Sequence, residues 1–249
     1  MKMKFIGCGA ADYDWSRYGE PGILGSTATL LNGTILLDCG PTVTAAMARY
    51  GEKLETVKAV VNTHSHSDHF NVDELRKIAG NRRIPFFGSP QACSQVADFC
   101  EVHPLTYGDR FEVEGCSFLA LPSNHSVEDF REETFNYLIS ADKVLLYALD
   151  TAWMLSKAKN LIGKTHVDAI VWDATMSEPA DWRIFDHSDP EMFACMRRVW
   201  EKTGMIDENV KIWFDHRART LWPQDAPSQE AVAARENVML AHEGETVVF

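Results

Sequence analysis

One stretch of the chain joins a short apolar run to a helical pattern and carries four candidate metal ligands. Residues 63–70 read Thr-His-Ser-His-Ser-Asp-His-Phe, so three histidines and one carboxylate fall within six positions. The apolar run at 57–61 predicts a buried strand, and Asn71 with Glu74 three residues later is the capping box of a helix. Imidazole is the commonest metal-binding side chain, and a neighbouring carboxylate suits zinc and similar divalent ions. The pattern predicts a metal site on a strand-to-helix turn.

The spacing of these ligands suggests more than one binding point. His64 and His66 are two residues apart, so in an extended chain they point the same way and both reach one ion. Asp68 and His69 lie where the chain turns into the helix and are directed toward a second point nearby. The competing interpretation is a solvated polar loop. It is disfavoured because this short stretch holds three of the nine histidines of the chain.

Other predicted strands also end in an ionisable residue. The full set is Asp38, His64, His125, Asp150, Asp173 and His216. Proteins of the α/β class usually build their sites from loops at the carboxyl ends of buried strands. We therefore expect these side chains to meet in one crevice.

The remaining pattern alternates short strands with helices. Asn32-Gly33 predicts the tight turn of a hairpin. Strands are predicted at 4–6, 35–37, 84–87, 111–113, 116–121, 135–139, 144–149, 167–172, 210–214 and 246–248. Helices are predicted at 41–50, 90–100, 152–161, 189–203 and 228–241. The absence of a repeat or a linker-like tract predicts a single domain over residues 1–249.

Composition narrows the class of protein. The net charge of −12 argues against a broad face for the nucleic-acid backbone, which needs clustered Lys and Arg. The six cysteines form no C-x-x-C pair, and a chain of this length does not depend on disulfides, so free thiols are expected. No sustained apolar stretch precedes Asp12 and none approaches the ~20 residues of a membrane span, which predicts a cytoplasmic protein without a signal peptide.

The His64–His69 stretch resembles the H-x-H-x-D-H signature of the metallo-β-lactamase superfamily. Later residues match that family in order: His125 in Asn-His-Ser, Asp150 in Leu-Asp-Thr, His216 directly after a strand, and Asp38 in Leu-Asp-Cys-Gly. The resemblance covers about residues 4–216. It implies an α/β fold of the αββα type, in which two mixed β-sheets lie face to face with helices on the outer faces.

The resemblance also implies a division of ligands between two divalent ions. The ligands of one ion would be His64, His66 and His125, those of the other Asp68, His69 and His216, with Asp150 bridging. Asp38 would orient the ligand turn without binding metal. A hydroxide held between the ions would be the nucleophile. Zinc and manganese are the expected metals, and the ligand types leave iron open.

Two further features bear on the reaction. Diiron oxygen reductases of this fold carry Glu at the position of His66, so the histidine favours hydrolysis. Asp173-Ala174-Thr175-Met176 followed by His187-Ser188 is similar to a pairing in the branch that contains the tRNA 3′-processing endonucleases and the cyclic-phosphate phosphodiesterases. We count Asp68, Asp173 and His187 as candidate catalytic residues, with Asp173 orienting His187. The alternative that His187 only caps the next helix stays open.

These features favour a phosphodiesterase acting on a small or cyclic phosphate ester. A lactonase or thioesterase, or a non-hydrolytic redox or sensory metal protein, is the alternative. Only about fifteen residues separate Asp150 from Thr165, so the arm that grips tRNA has no counterpart. The expected partner is a small anionic ester, with neither nucleic acid nor membrane, and a homodimer is a family expectation. The loop at 174–187, with Trp182, Arg183 and Phe185, is either a substrate lid or an ordinary surface loop.

Overall fold

The described part of the chain contains fourteen strands. The structure is a computed structural model and describes residues 1–179 and 181–249. The first strands along the chain are β1 (Lys2–Gly7), β2 (Ala28–Leu31), β3 (Ile35–Leu37), β4 (Ala59–Val61), β5 (Pro85–Gly88), β6 (Glu101–Pro104) and β7 (Arg110–Val113). They are followed by β8 (Cys116–Pro122), β9 (Phe135–Ser140), β10 (Val144–Ala148), β11 (Ala169–Asp173), β12 (Lys211–Asp215), β13 (Met239–Leu240) and β14 (Thr246–Val248).

The strands form two sheets of seven. The order is β14-β1-β2-β3-β4-β5-β6 in the first sheet and β13-β12-β11-β10-β9-β8-β7 in the second. In the first sheet the pairs from β14 to β3 are antiparallel and those from β3 to β6 are parallel. In the second sheet the pairs from β7 to β10 are antiparallel and those from β10 to β13 are parallel. Both sheets are therefore mixed, as predicted.

Helices cover the two outer faces. The helices are α1 (Val43–Arg49), α2 (Val72–Ala79), α3 (Pro90–Val96), α4 (Ser156–Ile162), α5 (Pro190–Thr203) and α6 (Ala226–Arg235). Alternate strand residues divide between the layers: Leu145 and Tyr147 pack between the sheets, and Leu146 packs outward against Ala158 of α4. Apolar residues of α1, α2 and α3 pack on the outer face of the first sheet. The predicted αββα sandwich is confirmed, and its single-domain extent over 1–249 stays a prediction.

Local sequence signals account for most element ends. Asn32 and Gly33 have φ of 50° and 77°, so the predicted hairpin turn is present between β2 and β3. The Asn71 side chain accepts from the backbone N–H of Glu74 and caps α2. The Glu74 carboxylate does not complete the box, because it accepts hydrogen bonds from Thr44 and Lys77 instead. Pro190 begins α5 as predicted, with Asp189 as its cap.

Four element predictions are wrong in part. The helix predicted at 90–100 ends at Val96. The helix predicted from 152 begins at Ser156, and the one predicted to reach 241 ends at Arg235, after which Asn237 has φ 51° and the short strand β13 follows. Strand β6 was missed, because its partly exposed Glu-Val-His-Pro sequence has neither apolar alternation nor a buried run.

The cysteines and the helices bear on two further expectations. All six cysteines are free thiols; five are buried and Cys195 is exposed. Within residues 1–179 and 181–249, no helix combines the length and the apolar character needed to cross a membrane.

Candidate metal centre

The candidate ligands converge at one edge of the sandwich, where the parallel strands of both sheets end. Asp38 and His216 directly follow β3 and β12, and Asp150 lies two residues after β10. All three have positive φ, at 61°, 60° and 50° respectively. This backbone region is uncommon for residues other than glycine, although Asp and His enter it more readily than most. The sharp turns bend the three side chains inward from the strand ends.

Seven side chains form what we call the cage. They are His64, His66, Asp68, His69, His125, Asp150 and His216. Nδ1 of His66 lies 3.1 Å from Nε2 of His64 and 2.9 Å from Nε2 of His125. Oδ1 of Asp150 lies 3.5 Å from Nε2 of His125 and 3.8 Å from Nε2 of His64. These three histidines, called the His64 face, thus converge with one oxygen of Asp150.

The other oxygen of Asp150 belongs to a second group, called the Asp68 face, formed by Asp68, His69 and His216. Oδ2 of Asp150 lies 2.8 Å from Nε2 of His69 and 3.3 Å from Nε2 of His216. Oδ2 of Asp68 lies 3.5 Å and 3.1 Å from the same two nitrogens. Asp150 therefore presents one oxygen to each face, as a bridging carboxylate does.

The donor set fits two divalent cations. Ligands about 2.1 Å from a tetrahedral ion lie about 3.4 Å from one another, and the separations between cage atoms scatter around that value. Nε2 of His69 and Oδ2 of Asp150 are buried, and neither has a hydrogen-bond partner in the described residues despite their close approach. Unpaired buried polar atoms are costly, and a shared cation would satisfy both. Metal binding by the seven residues stays a prediction.

Asp38 holds the ligand turn from beneath. Its buried carboxylate accepts hydrogen bonds from the backbone N–H of Thr63 at 2.7 Å, from the Thr63 hydroxyl and from Asn62 Nδ2 at 3.0 Å. Nδ1 of His69 donates to Oδ2 of Asp38 at 2.8 Å. In the neutral imidazole this bond places the proton on Nδ1 and leaves Nε2, which is directed into the cage, as the nitrogen that can bind metal, so Asp38 fixes both the orientation and the tautomer of His69.

The other cage histidines also have a partner on their outward nitrogen. The pairs are His64 with the Thr63 hydroxyl, His125 with the Asp186 carbonyl, His216 with the Thr175 hydroxyl and, at 3.7 Å, His66 with Glu128. The sequence alone assigns no role to Thr175, Asp186 or Glu128. The only signal was for Thr175, which lies two residues after Asp173 in a motif already singled out. A backbone carbonyl such as that of Asp186 leaves no signal in sequence.

The electrostatics differ between the faces. Burial lowers the pKa of His64 well below its usual value and that of His125 to about 4, which leaves both imidazoles neutral and ready to bind metal. Burial also opposes protonation of His216, but the Asp150 charge and the hydrogen bond to Asp68 outweigh it and raise its pKa to about 9. The Asp68 face thus carries a proton that a bound cation would displace.

Asp173 and His187 form a pair beside the cage. Nδ1 of His187 donates to Oδ2 of Asp173 at 2.9 Å, and it lies 3.8 Å from Oδ1 of Asp150. Burial opposes protonation of His187, yet the Asp173 charge and hydrogen bond raise its pKa. The alternative that His187 only caps α5 does not hold, because the Asp189 side chain provides that cap.

A cleft of about 570 Å³ opens over the cage. Cage residues His66, Asp68, Asp150 and His216 contribute to its wall together with His187. Trp182 and Arg183 also contribute to the wall, from a short 3-10 helix, Trp182–Phe185, that we call the rim helix. Trp182 and Arg183 of loop 174–187 thus border the site, which is closer to the substrate-lid interpretation than to that of an ordinary surface loop. His103, His166 and His242, which match no motif, pair with acidic side chains outside the cage.

Comparisons with known proteins agree with this fold and site. A family model described as a beta-lactamase superfamily domain matches residues 33–206. The chain is 29% identical over 148 residues to ribonuclease Z of Methanopyrus kandleri, a match that covers 54% of this chain and 50% of that protein. The chain therefore spans about half the length of this curated relative.

Two solved structures share the fold over nearly their whole length. A diphosphatase of the PhnP family has a TM-score of 0.73 and 18% identity, with 100% of this chain and 97% of the other covered. Zinc-bound PqqB from Methylobacterium extorquens has a TM-score of 0.70 and 18% identity, with both chains covered completely. The architecture is therefore that of an αββα metallo-β-lactamase fold. Since the family model covers well over half of the sequence, the chain belongs to the metallo-β-lactamase superfamily, as the motifs predicted.

Proposed function

We propose that the protein is a hydrolase dependent on two divalent metal ions, zinc or manganese, and that it cleaves a small or cyclic phosphodiester. The relatives support this class of reaction: one is a ribonuclease Z and another a diphosphatase of the PhnP family. A zinc-bound neighbour supports the choice of metal. The expected substrate is a small anionic ester.

The observation that carries the proposal is the position of His187 at the border of the cage. Its Nδ1 is held by Asp173, so Nε2 is the nitrogen left to act on a substrate in the cleft. Burial opposes protonation, but the Asp173 carboxylate raises the pKa of this imidazole above its usual value. The imidazole therefore keeps its proton to a higher pH than a free histidine does. A protonated imidazole beside a phosphoester is placed to donate that proton to the leaving oxygen.

The residues of the cage have distinct tasks. Bound divalent ions would supply a water of lowered pKa and a positive field for the charge that develops on the phosphoryl oxygens. Asp150 keeps the two faces at a fixed separation, since each of its oxygens belongs to one of them. Asp68 would contribute an anionic ligand beside the imidazoles of His69 and His216, which favours a hard divalent cation. Asp38 and Thr175 hold His69 and His216 from behind.

The test is hydrolysis by the protein loaded with Zn or Mn, with bis-p-nitrophenyl phosphate and a 2′,3′-cyclic nucleotide as substrates. His187→Ala should lower kcat by about 10²–10⁴-fold, the range for loss of a general acid, and leave metal content unchanged. His242→Ala is the matched control, because His242 is half exposed and pairs with Glu230 far from the cage. Its kinetics should equal those of the unmodified protein.

Two outcomes would contradict the proposal. If the loaded protein cleaves neither substrate but opens a lactone or a thioester, the same site acts on acyl carbon. Stoichiometric redox-active iron with its absorption bands would indicate a non-hydrolytic redox or sensory protein.

A further inference from the structure

The wall of the cleft is chemically uneven, and this carries information about the substrate. Besides the cage residues, the wall includes Trp182 and Arg183 of the rim helix. The Trp182 side chain is 70% exposed although it borders the cleft. The Arg183 guanidinium lies 5.0 Å from the centroid of its ring. One face of the indole is therefore covered by a cation, and much of the remaining surface is open.

The rim helix is capped at its N-terminal end and hydrogen-bonded to the cage region at its C-terminal end. The Asp181 carboxylate caps it and accepts from the Arg183 guanidinium at 2.9 Å. At the other end the Asp186 carbonyl accepts from Nδ1 of His125, and the Asp186 carboxylate accepts from the Ser126 hydroxyl. The C-terminal end of the segment that carries Trp182 is thus bonded directly to a cage histidine, and this anchored backbone lowers the entropic cost of placing the indole against a ligand.

Charge on the wall limits how many anionic groups a substrate can bring. Among the described residues that line the cleft, Arg183 is the one Lys or Arg, and it is already paired with Asp181. Asp12 and Glu128 also border the cleft, and the Glu128 side chain is 92% exposed. A polyanion would meet these carboxylates with no unpaired Lys or Arg among the described lining residues to offset them. A single phosphoryl group at the cage avoids this repulsion.

We propose that the substrate is a small phosphodiester with one anionic group and one flat aromatic group, of the nucleotide class, and that Trp182 stacks on the aromatic group. This inference rests on the proposed function, because it places the phosphoryl group at the cage. A cleft of about 570 Å³ holds a ligand of this size. The cation over one face of the indole and the exposed remainder make Trp182 a stacking platform, as in sequence-tolerant binding of bases.

The test measures binding separately from catalysis. Isothermal titration of the Zn-loaded protein compares AMP with ribose 5-phosphate, which share the phosphoryl group and the ribose and differ in the base. Stacking contributes about 1–3 kcal/mol per base, so AMP should bind about 5- to 150-fold more tightly. Trp182→Ala should abolish this difference, and Trp182→Phe should retain part of it.

Phe185→Ala is the matched control. Phe185 lies on the same rim helix and is 76% exposed, but it does not line the cleft. Its removal should leave the preference for AMP unchanged. Equal affinity for the two ligands, no measurable binding of AMP, or a Trp182→Ala variant that keeps the preference would each overturn the inference.

Hydrolysis assays distinguish a failure of this inference from a failure of the proposed function. If the protein prefers AMP through Trp182 but cleaves no phosphodiester, the proposed function fails and the aromatic subsite stands. If it cleaves ethylene phosphate and 2′,3′-cyclic AMP with equal kcat/KM and shows no preference in binding, the hydrolase stands and the subsite fails. If both hold, Trp182→Ala should raise KM for the cyclic nucleotide with little change in kcat.

Discussion

Replacing Asp38 by Asn tests whether a residue that binds no metal sets the chemistry of the cage. The carboxylate is fully buried, and Asn is of equal size and also tolerates the φ of 61° at this position. If the Asn carbonyl takes the place of Oδ1, it keeps the hydrogen bonds from Asn62 and from the Thr63 backbone. The Thr63 hydroxyl, which also lies 3.0 Å from Oδ1, keeps an acceptor there. The contact that cannot survive is the one to His69, because an amide N–H₂ does not accept from Nδ1–H.

The expected magnitude follows from that single contact. The amide would donate to Nδ1 of His69, and the imidazole proton would move to Nε2, which faces the cage. A hydrogen bond to a charged group contributes about 1.5–3 kcal/mol. Loss of such a partner typically weakens metal binding about 10- to 100-fold, or about 1.4–2.7 kcal/mol. The two ranges agree, so we expect the Asp68 face to lose that much affinity and the His64 face to keep its own.

The assay is competition titration of zinc against a chromophoric chelator, with stoichiometry checked by elemental analysis. One ion per chain should bind as tightly as before and one more weakly. Asp189→Asn is the control: this carboxylate is also buried, caps α5 through Met192 and touches no cage imidazole. It should leave both affinities unchanged. Two ions bound by Asp38→Asn with unaltered affinity would refute the idea that Asp38 fixes the tautomer of His69.

Three further substitutions probe the fold around the cage. A Cβ on Gly40 would lie 2.1 Å from the carbonyl oxygen of Asp68, so Gly40→Ala should weaken zinc binding at the Asp68 face more than at the His64 face in the same titration; equal losses would contradict this. Phe193 is fully buried against Trp172, so Phe193→Ala should lower the free energy of unfolding in urea by about 3–5 kcal/mol, and a loss below about 1 kcal/mol would contradict this. Burial raises the pKa of Glu243 despite the hydrogen bonds its carboxylate accepts. Its contribution to stability is therefore present below the unfolded-state pKa and is lost as pH rises toward the folded-state value. Relative to the unmodified protein, Glu243→Gln should gain stability as pH rises from 4 to 8 in urea titrations with chelator present, and a constant difference would contradict this.

The sequence predicted the two-sheet architecture because the elements that define it carry strong local signals. The apolar run of β10 is followed two residues later by Asp150, and the apolar run of β11 ends at Asp173. The hairpin at Asn32-Gly33 and the start of α5 at Pro190 depend on residues with narrow backbone preferences. The predicted end of α6 was too late, because the stop signal after Arg235 is Asn237, which is weaker than glycine at a left-handed position.

The candidate metal ligands could be identified from the sequence, whereas the groups that hold them in place could not. Histidine and aspartate at strand ends are rare enough to be noticed one by one. Their partners are not: the Thr63 and Thr175 hydroxyls and the Asp186 carbonyl belong to groups found throughout any chain. Glu132 likewise accepts from Ser65 across 67 residues of sequence, a contact that only the folded sandwich creates. Such partners become visible only with coordinates.

The left-handed turns explain how a rigid sandwich and a precise site depend on each other. In the described residues, six positions other than glycine have positive φ; Asn32, Glu114 and Asn237 lie in ordinary turns. The other three are Asp38, Asp150 and His216, all of them in or directly beneath the cage. Strain of this kind costs on the order of 1 kcal/mol per residue and persists only where surrounding structure enforces it. The strands that precede these turns are buried between two packed layers, so the sandwich can sustain that cost. A more relaxed turn at Asp150 would release the strain but rotate the carboxylate away from one face, and the two faces would no longer share a ligand.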